Sequence, residues 1–447
     1  MFRPATKRDI LNGKILEQTL LFLFPVFMGN LLQILYGFID SIILGRFVSK
    51  EALAAVGGSA TSIINIVLNL IGGLTAAITV LTAQSYGKGD AEKVSSSVRT
   101  GMFTAICFGG SLSILMSLLA PSLLKVMGEP AENIHLSLTY MYLYFASLMP
   151  YFVYQCGISI LRALGDSSRP VYFILITAFI KISFDLLLGA VLKLGVLGTS
   201  LATFIAHLSC AIIILLIFDR TPDLYQFSLK DFGFDPNDLK KIFRIGIPFS
   251  VQSMMFALSN AVAQSKINEF GTDAIAAYTA FNNVDNLFWC LSSSVATSTI
   301  TMASQNYGKG NIQRVRKIAY TSMALEACSA LLYSVFFYFC GRDLLSLFLK
   351  DEAALDISAR MLTVVSRSYV IYMFIEPLDA VFRSCGMTKV PVLILIFAIC
   401  ILRISYCMFY PIDGPVKVIF CYPLSWIVTA VLYLLYFLLN RRLRVRA

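Results

Sequence analysis

Five carboxylates, Asp40, Asp185, Glu326, Glu376 and Asp379, stand inside long apolar runs of the chain. An acid at bilayer depth is costly unless it faces a cavity or a partner, so each is a candidate for carrying a coupling ion or a charged substrate. Lys181 precedes Asp185 by four residues, which puts both on one helix face where they can neutralise each other. In the first run Asn30, Gln33, Gly37 and Asp40 follow steps of three and four, forming one polar stripe that should face protein rather than lipid. Asp40 is read as a functional acid in preference to a helix–helix hydrogen bond, because Asn or Ser would supply such a bond at lower cost. Asp379 and Arg383 read as an i to i+4 pair. Glu376 precedes Pro377 and is read equally as a cavity-facing acid or as a structural group, while Glu326 is read as a second site or as a partner of Arg403 or Arg367.

Other chemistry is poorly supplied. Ten cysteines lie scattered through apolar segments without a CxxC pair, and there are two histidines in all. A disulfide scaffold, a usual zinc site and Cys/His nucleophilic catalysis are excluded on that count, so no metal and no enzymatic activity are expected. The glycine-rich YGKG loops at 86–89 and 307–310 lack the GxxxxGK[ST] pattern and are not ATP sites.

The elements that hold these residues follow from composition. Of 447 residues 57% are apolar and only 14% charged, against roughly 25% charged for a soluble domain. The apolar runs are long and continuous, as helices crossing lipid need and alternating barrel strands do not. Twelve spanning helices are predicted at 16–44, 55–81, 99–120, 137–161, 171–193, 197–218, 245–266, 279–302, 317–340, 358–382, 390–411 and 417–438. The first is too long for a cleavable signal and is expected to remain as a span. An even count puts both termini on one face, and 24 of the 36 Lys and Arg residues fall on that face against 9 on the other. The positive-inside rule then makes both termini cytoplasmic. The net charge of +10 is explained by this topology, and no nucleic-acid partner is needed.

Shifting the chain against itself by about 221 residues brings AQSYGKGD (83–90) onto SQNYGKGN (304–311) and RALGDSSRP (162–170) onto RSCGMTKVP (383–391). The expected architecture is all-α and polytopic, two pseudo-symmetric six-helix lobes related by an axis along the membrane normal. Residues 1–218 form the first lobe, 219–244 a cytoplasmic linker with a short amphipathic helix capped by Asp235, and 245–447 the second lobe with a basic tail. Two such lobes suit alternating access. Gln33, Tyr36, Asn65, Asn69, Gln252, Asn282, Asn283 and Glu376 are candidates to line the cleft, each equally suited to bonding helices together. From the expected outer helix ends, Asp40 lies ~6 Å deep, Thr203 ~8 Å, Asp185 ~12 Å and Lys181 ~18 Å, all in the outer half of the first lobe.

The stretch from Pro25 through FIDSIILGRFVSKEALAAVG (38–57), the two YGKG loops and the paired RALGD and RSCGM loops resemble the multidrug and toxic compound extrusion (MATE) transporters over essentially the whole chain. Asp40 in the first helix and the lack of a carboxylate in the seventh are similar to the DinF-like branch. The resemblance implies a bacterial inner-membrane antiporter for multidrug efflux and antibiotic resistance. It would export amphipathic, often cationic substrates on a proton or sodium gradient, as a monomer among membrane lipids, without a cofactor. It further implies that Asp40, Asp185 and Thr203 belong to a cation-coupling site. The family pattern has Asn where this chain has Lys181, and an ammonium there would repel Na⁺ and occupy the carboxylates, which favours protons. Protonation of Asp40 would then let the first helix bend near Pro25. The alternative is a related lipid-linked-oligosaccharide flippase, whose cavity should be strongly cationic.

Overall fold

The computed structural model describes residues 9–43, 59–127, 129, 133–228, 230, 232–440 and 442–443, the side chains of 36–43 and 190 excepted. Among the described residues there is no strand, and helices follow one another in twelve segments. They are α1 (Ile15–Ile43), α2 (Thr61–Lys88), α3 (Ala91–Val126), α4 (Ile134–Ala146 and Leu148–Ala163), α5 (Arg169–Phe184, continuing as a π-helical stretch Asp185–Val191) and α6 (Val196–Arg220). The second set is α7 (Pro236–Asn268), α8 (Thr272–Gly308), α9 (Ile312–Ser346), α10 (Glu352–Ser366, Tyr369–Tyr372 and Glu376–Ser384), α11 (Lys389–Leu395, a π-helical stretch Ile396–Ile401, and Leu402–Phe409) and α12 (Pro415–Ile419 and Cys421–Leu439). A helix satisfies its own backbone hydrogen bonds, which is why apolar runs of this length take that form in lipid.

Nine of these helices are long and apolar enough to cross a membrane as single spans among the described residues, and α4, whose pieces meet at 45°, makes a tenth. The other two, α8 and α10, explain themselves by composition. Polar side chains of α8, among them Ser292, Ser294, Ser298, Thr299 and Thr301, are buried against protein, and small hydroxyl residues of this kind let helices approach closely. α10 is broken ahead of Pro377, which sits in the first turn of its last piece and has no N–H to continue the preceding turn.

The internal repeat is written in the backbone. The YGKG loops end in Gly89 and Gly310, at φ 73° and 80°, a left-handed conformation that favours glycine. The residue after each caps the next helix: Asp90 accepts from the Lys93 N–H and Asn311 from the Arg314 N–H, both at 3.0 Å. Gly165 and Gly386 repeat the same left-handed turn in the RALGD and RSCGM loops.

The chain divides into two compact units, and their limits are not those of the predicted lobes. One holds Phe24–Ser250, the other Asp9–Leu23 and Val251–Ala447, so both limits fall inside helices, beside Pro25 of α1 and Pro248 of α7. The amphipathic helix predicted as a separate linker element is instead the start of α7, a continuous helix of 33 residues. Its cap is as predicted: Asp235 Oδ1 accepts from the N–H groups of Asn237 and Asp238 at 2.7 and 3.3 Å. Those backbone donors first, and Lys93 after them, hold the Asp235 carboxyl below its ordinary range.

Each unit grips the lead-in of a helix that continues into the other. In the first unit Lys93 Nζ bonds Asp235 at 3.2 Å, Ser96 bonds Asp238 at 3.0 Å, and Thr100 accepts from the Asp235 N–H at 3.0 Å. In the second, Arg314 donates to the carbonyls of Ile10 and Gly13, Lys309 reaches Asn12 at 3.3 Å, and Thr19 meets the Met302 sulfur at 3.1 Å. Further along the first unit α2 and α7 touch backbone to backbone at Gly73 and Gly246, where Ser250 Oγ donates to the Leu70 carbonyl at 2.9 Å.

Candidate functional site

In the first unit the sequence places Lys181 and Asp185 one helical turn apart on α5, and the structure joins them. Lys181 Nζ donates to Asp185 Oδ2 at 2.6 Å, with side chains 4% and 0% exposed. The acid opens the π-helical stretch, a wider turn often found at functional sites. Thr203 of α6 is buried and donates its hydroxyl to the Thr199 carbonyl at 3.1 Å, leaving its lone pairs as acceptors. One turn further, His207 is buried against Ser147 of α4 at 3.1 Å and packs on the Tyr151 ring. Asp40 and Tyr36 lie on α1, but their side chains fall outside the described residues.

The second unit holds more ionisable groups than the first. Asp379 of α10 is a hub, 3% exposed, bonded by Arg383 at 2.5 Å, Tyr433 at 2.9 Å and Gln252 of α7 at 3.2 Å. The pairing with Arg383 is the one predicted from spacing. Gln252, a candidate for the cleft, is 3% exposed and spends its amide on this acid. Glu376 is half-buried and accepts from Tyr372 at 3.3 Å. Of the remaining cleft candidates, Gln33 and Asn65 are exposed, and Asn69, Asn282 and Asn283 are half-buried, as is Pro25 in α1.

Asp285 lies in the predicted span 279–302 and is not among the carboxylates singled out from the sequence. It is 7% exposed and accepts from Tyr369 and, at 2.6 Å, from Trp289 Nε1. The signal available was the Asp–Trp spacing of four; Tyr369, 84 residues away, was not. Phe288 stacks on Tyr369 at 3.8 Å, and Trp289, Tyr372 and Trp426 extend the aromatic cluster.

Glu326 of α9 pairs with neither Arg403 nor Arg367. It is 0% exposed, and Ser292, its neighbour, is the hydroxyl that reaches its carboxyl. A single hydroxyl leaves most of the hydrogen-bonding capacity of a buried carboxyl unmet, at a cost of about 1–3 kcal/mol. Glu326→Leu is therefore expected to raise the stability of the purified protein by about that amount, read as a higher unfolding temperature. A lower temperature would show that the carboxyl has a stabilising role.

No group of His, Cys, Asp and Glu among the described residues is placed to hold a metal ion. What the two clusters offer is proton and charge exchange inside an apolar scaffold, without a nucleophile or a phosphate cradle.

The chain is 26% identical over 85% of its length to "Probable multidrug resistance protein YoeA" of Bacillus subtilis, of which it covers 83%. It is 22% identical over 83% to "Multidrug export protein MepA" of Staphylococcus aureus, again covering 83% of that protein. Among solved structures it superposes with a TM-score of 0.89 on an outward-facing multidrug resistance MATE family transporter of the MOP superfamily, at 20% identity, covering 97% of this chain and 98% of that one. A MOP superfamily transporter from Pyrococcus furiosus gives the same TM-score at 21% identity, with the same coverage. The MatE family model matches twice, over residues 25–187 and 248–409, beginning at Pro25 and again at Pro248. With one match in each sequence repeat and the fold shared from end to end, the chain belongs to the MatE family of polytopic membrane transporters and is not an enzyme.

Proposed function

We propose that this transporter is a secondary antiporter of a bacterial cytoplasmic membrane, exporting amphipathic, often cationic compounds in exchange for protons. The buried Lys181–Asp185 pair carries the reading. The ammonium 2.6 Å from the Asp185 carboxylate occupies that acid and repels a metal cation from it; it also favours the ionised form of a nearby acid, so the proton is taken where burial outweighs that attraction. The relatives named for multidrug resistance and export support the class of substrate.

In this mechanism Asp40 takes the proton and Asp185, held by Lys181, shares the charge, with Thr203 as a neighbouring acceptor. Loss of the Asp40 charge changes its hydrogen bonds, and α1 bends at Pro25. The cleft lined by Gln33, Tyr36, Asn65, Asn69, Gln252, Asn282, Asn283 and Glu376 then narrows and releases the drug. Transport follows because protons and drug bind two lobe states with different affinity. The Lys and Arg distribution sets both termini in the cytoplasm. A single chain suffices, and neither sodium nor ATP is required.

The test is uptake of a fluorescent cationic dye by energised inverted vesicles, under an imposed pH gradient or an imposed Na⁺ gradient. Wild type should accumulate dye with the pH gradient, and Asp40→Asn should lower the initial rate about tenfold or more. Full proton-driven uptake by Asp40→Asn at equal expression, or uptake driven by Na⁺ alone, would refute the coupling mechanism.

A further inference from the structure

The second unit contains a counterpart of the Lys181 site from which the acid has gone. From the RALGD and RSCGM loops, which match at a spacing of 221, to the ends of the two family matches at residues 187 and 409, the spacing grows to 222. That spacing carries Lys181 onto Arg403, Asp185 onto Cys407 and Thr203 onto Ser425. The structure agrees: Arg403 of α11 donates from Nη2 to Ser425 of α12 at 3.0 Å and from Nη1 to Asn260 of α7 at 2.8 Å. Its guanidinium carbon lies 4.2 Å from the centre of the Tyr422 ring, whose hydroxyl meets that of Tyr278 at 2.9 Å. Cys407, in the place of the acid, is a buried thiol beside Cys421.

Everything around Arg403 is therefore neutral. The buried acids of this unit are engaged elsewhere, Glu326 with its neighbour Ser292, and none pairs with Arg403 among the described residues. The residue is 2% exposed, and its Nε is buried without a partner. A permanently charged group at this depth, six residues before the end of α11, is costly unless an anion completes it. The unused Nε–H and the second hydrogen of an adjacent Nη form a parallel pair of donors, the geometry that holds a carboxylate in two-point contact.

We propose that Arg403, with Ser425, Asn260 and Tyr422 about it, is an anion subsite of the second lobe that receives the carboxylate of an exported amphipathic compound, in the place Asp185 fills for Lys181. The proposal rests on the export function inferred above and extends its substrates to zwitterions and organic acids. The subsite is closed in this structure and takes its ligand in the state that opens the lobe.

The test uses the full chain in lipid nanodiscs and two dyes of one skeleton, rhodamine 110 with a free carboxylate and rhodamine 123, its methyl ester, with binding read by fluorescence anisotropy. Wild type should prefer the acid. Arg403→Gln should reduce the acid-to-ester affinity ratio about tenfold or more, with Arg403→Lys intermediate. Cys407→Asp, which rebuilds the internal pair of the first lobe, should reduce the ratio similarly. An unchanged ratio in Arg403→Gln or Cys407→Asp would make the guanidinium a packing group and overturn the proposal. Sodium chloride displacing rhodamine 110 as well as sodium benzoate does would overturn its assignment to a carboxylate. Failure of wild-type vesicles to move the ester would refute the export function without altering the binding ratio.

Discussion

Asp185→Asn protein is expected to be about 3–5 kcal/mol less stable than wild type, while the double variant Lys181→Gln/Asp185→Asn recovers most of that loss. The single change removes the carboxylate 2.6 Å from a lysine that is itself 4% exposed, so the ammonium keeps its burial and loses this counter-charge. The double change removes both desolvated charges together, and exchanging a whole buried pair for neutral groups is commonly close to neutral. A thiol-reactive dye reads the transition in detergent, because cysteines such as Cys156 and Cys210 are buried until the helices separate. Equal stability of the single and double variants would show that the two charges are not coupled. Transport separates structure from function: dye uptake by the stable double variant would make the pair a brace, and its absence would place the charges in the transport cycle.

Gly73→Leu is expected to abolish most of the monodisperse protein recovered by size-exclusion chromatography, whereas Gly72→Leu, one residue earlier, leaves the yield near wild type. A Cβ at Gly73 would stand 2.2 Å from Ser250 Oγ, 2.6 Å from the Ser250 backbone nitrogen and 2.7 Å from the Gly246 carbonyl. Two of these atoms are backbone and cannot rotate away, so α2 and α7 must move apart, at or above the usual overpacking cost of about 1–3 kcal/mol. At Gly72 an added Cβ meets nothing within 4 Å. Similar yields from the two variants would mean that this helix contact is looser than its geometry implies.

Much of this architecture was legible because hydropathy and turn chemistry are local. All twelve apolar runs became helical segments, and the caps at Asp90, Asn311 and Asp235 sit where the sequence pattern changes. The stop before the seventh span was misread. The predicted linker ends at residue 244, whereas α7 runs unbroken from Pro236 through that point and past Pro248, whose missing N–H is tolerated inside a packed span. Spacing of four also recovered the Lys181–Asp185 and Asp379–Arg383 pairs. Partnerships across the fold were not legible. Gln252 meets Asp379 across 127 residues and Arg403 meets Asn260 across 143. The polar character of those residues marked them as candidates without saying which ones were already engaged.

The exchange of helix lead-ins between the two compact units has a consequence for synthesis. Asp9–Leu23 is made almost first, yet its partners Asn306, Lys309 and Arg314 lie about three hundred residues downstream. At roughly 5–20 residues per second the ribosome needs about 15–60 seconds to reach them. For that interval the start of α1 lacks the partners it has in the finished protein. The first unit in turn takes its last helix turns from the opening of the second repeat, up to Ser250. Cutting the gene between its two repeats would leave each half short of a segment encoded by the other, so the order in which this protein matures is set by the crossing of its helices and not by the order of its repeats.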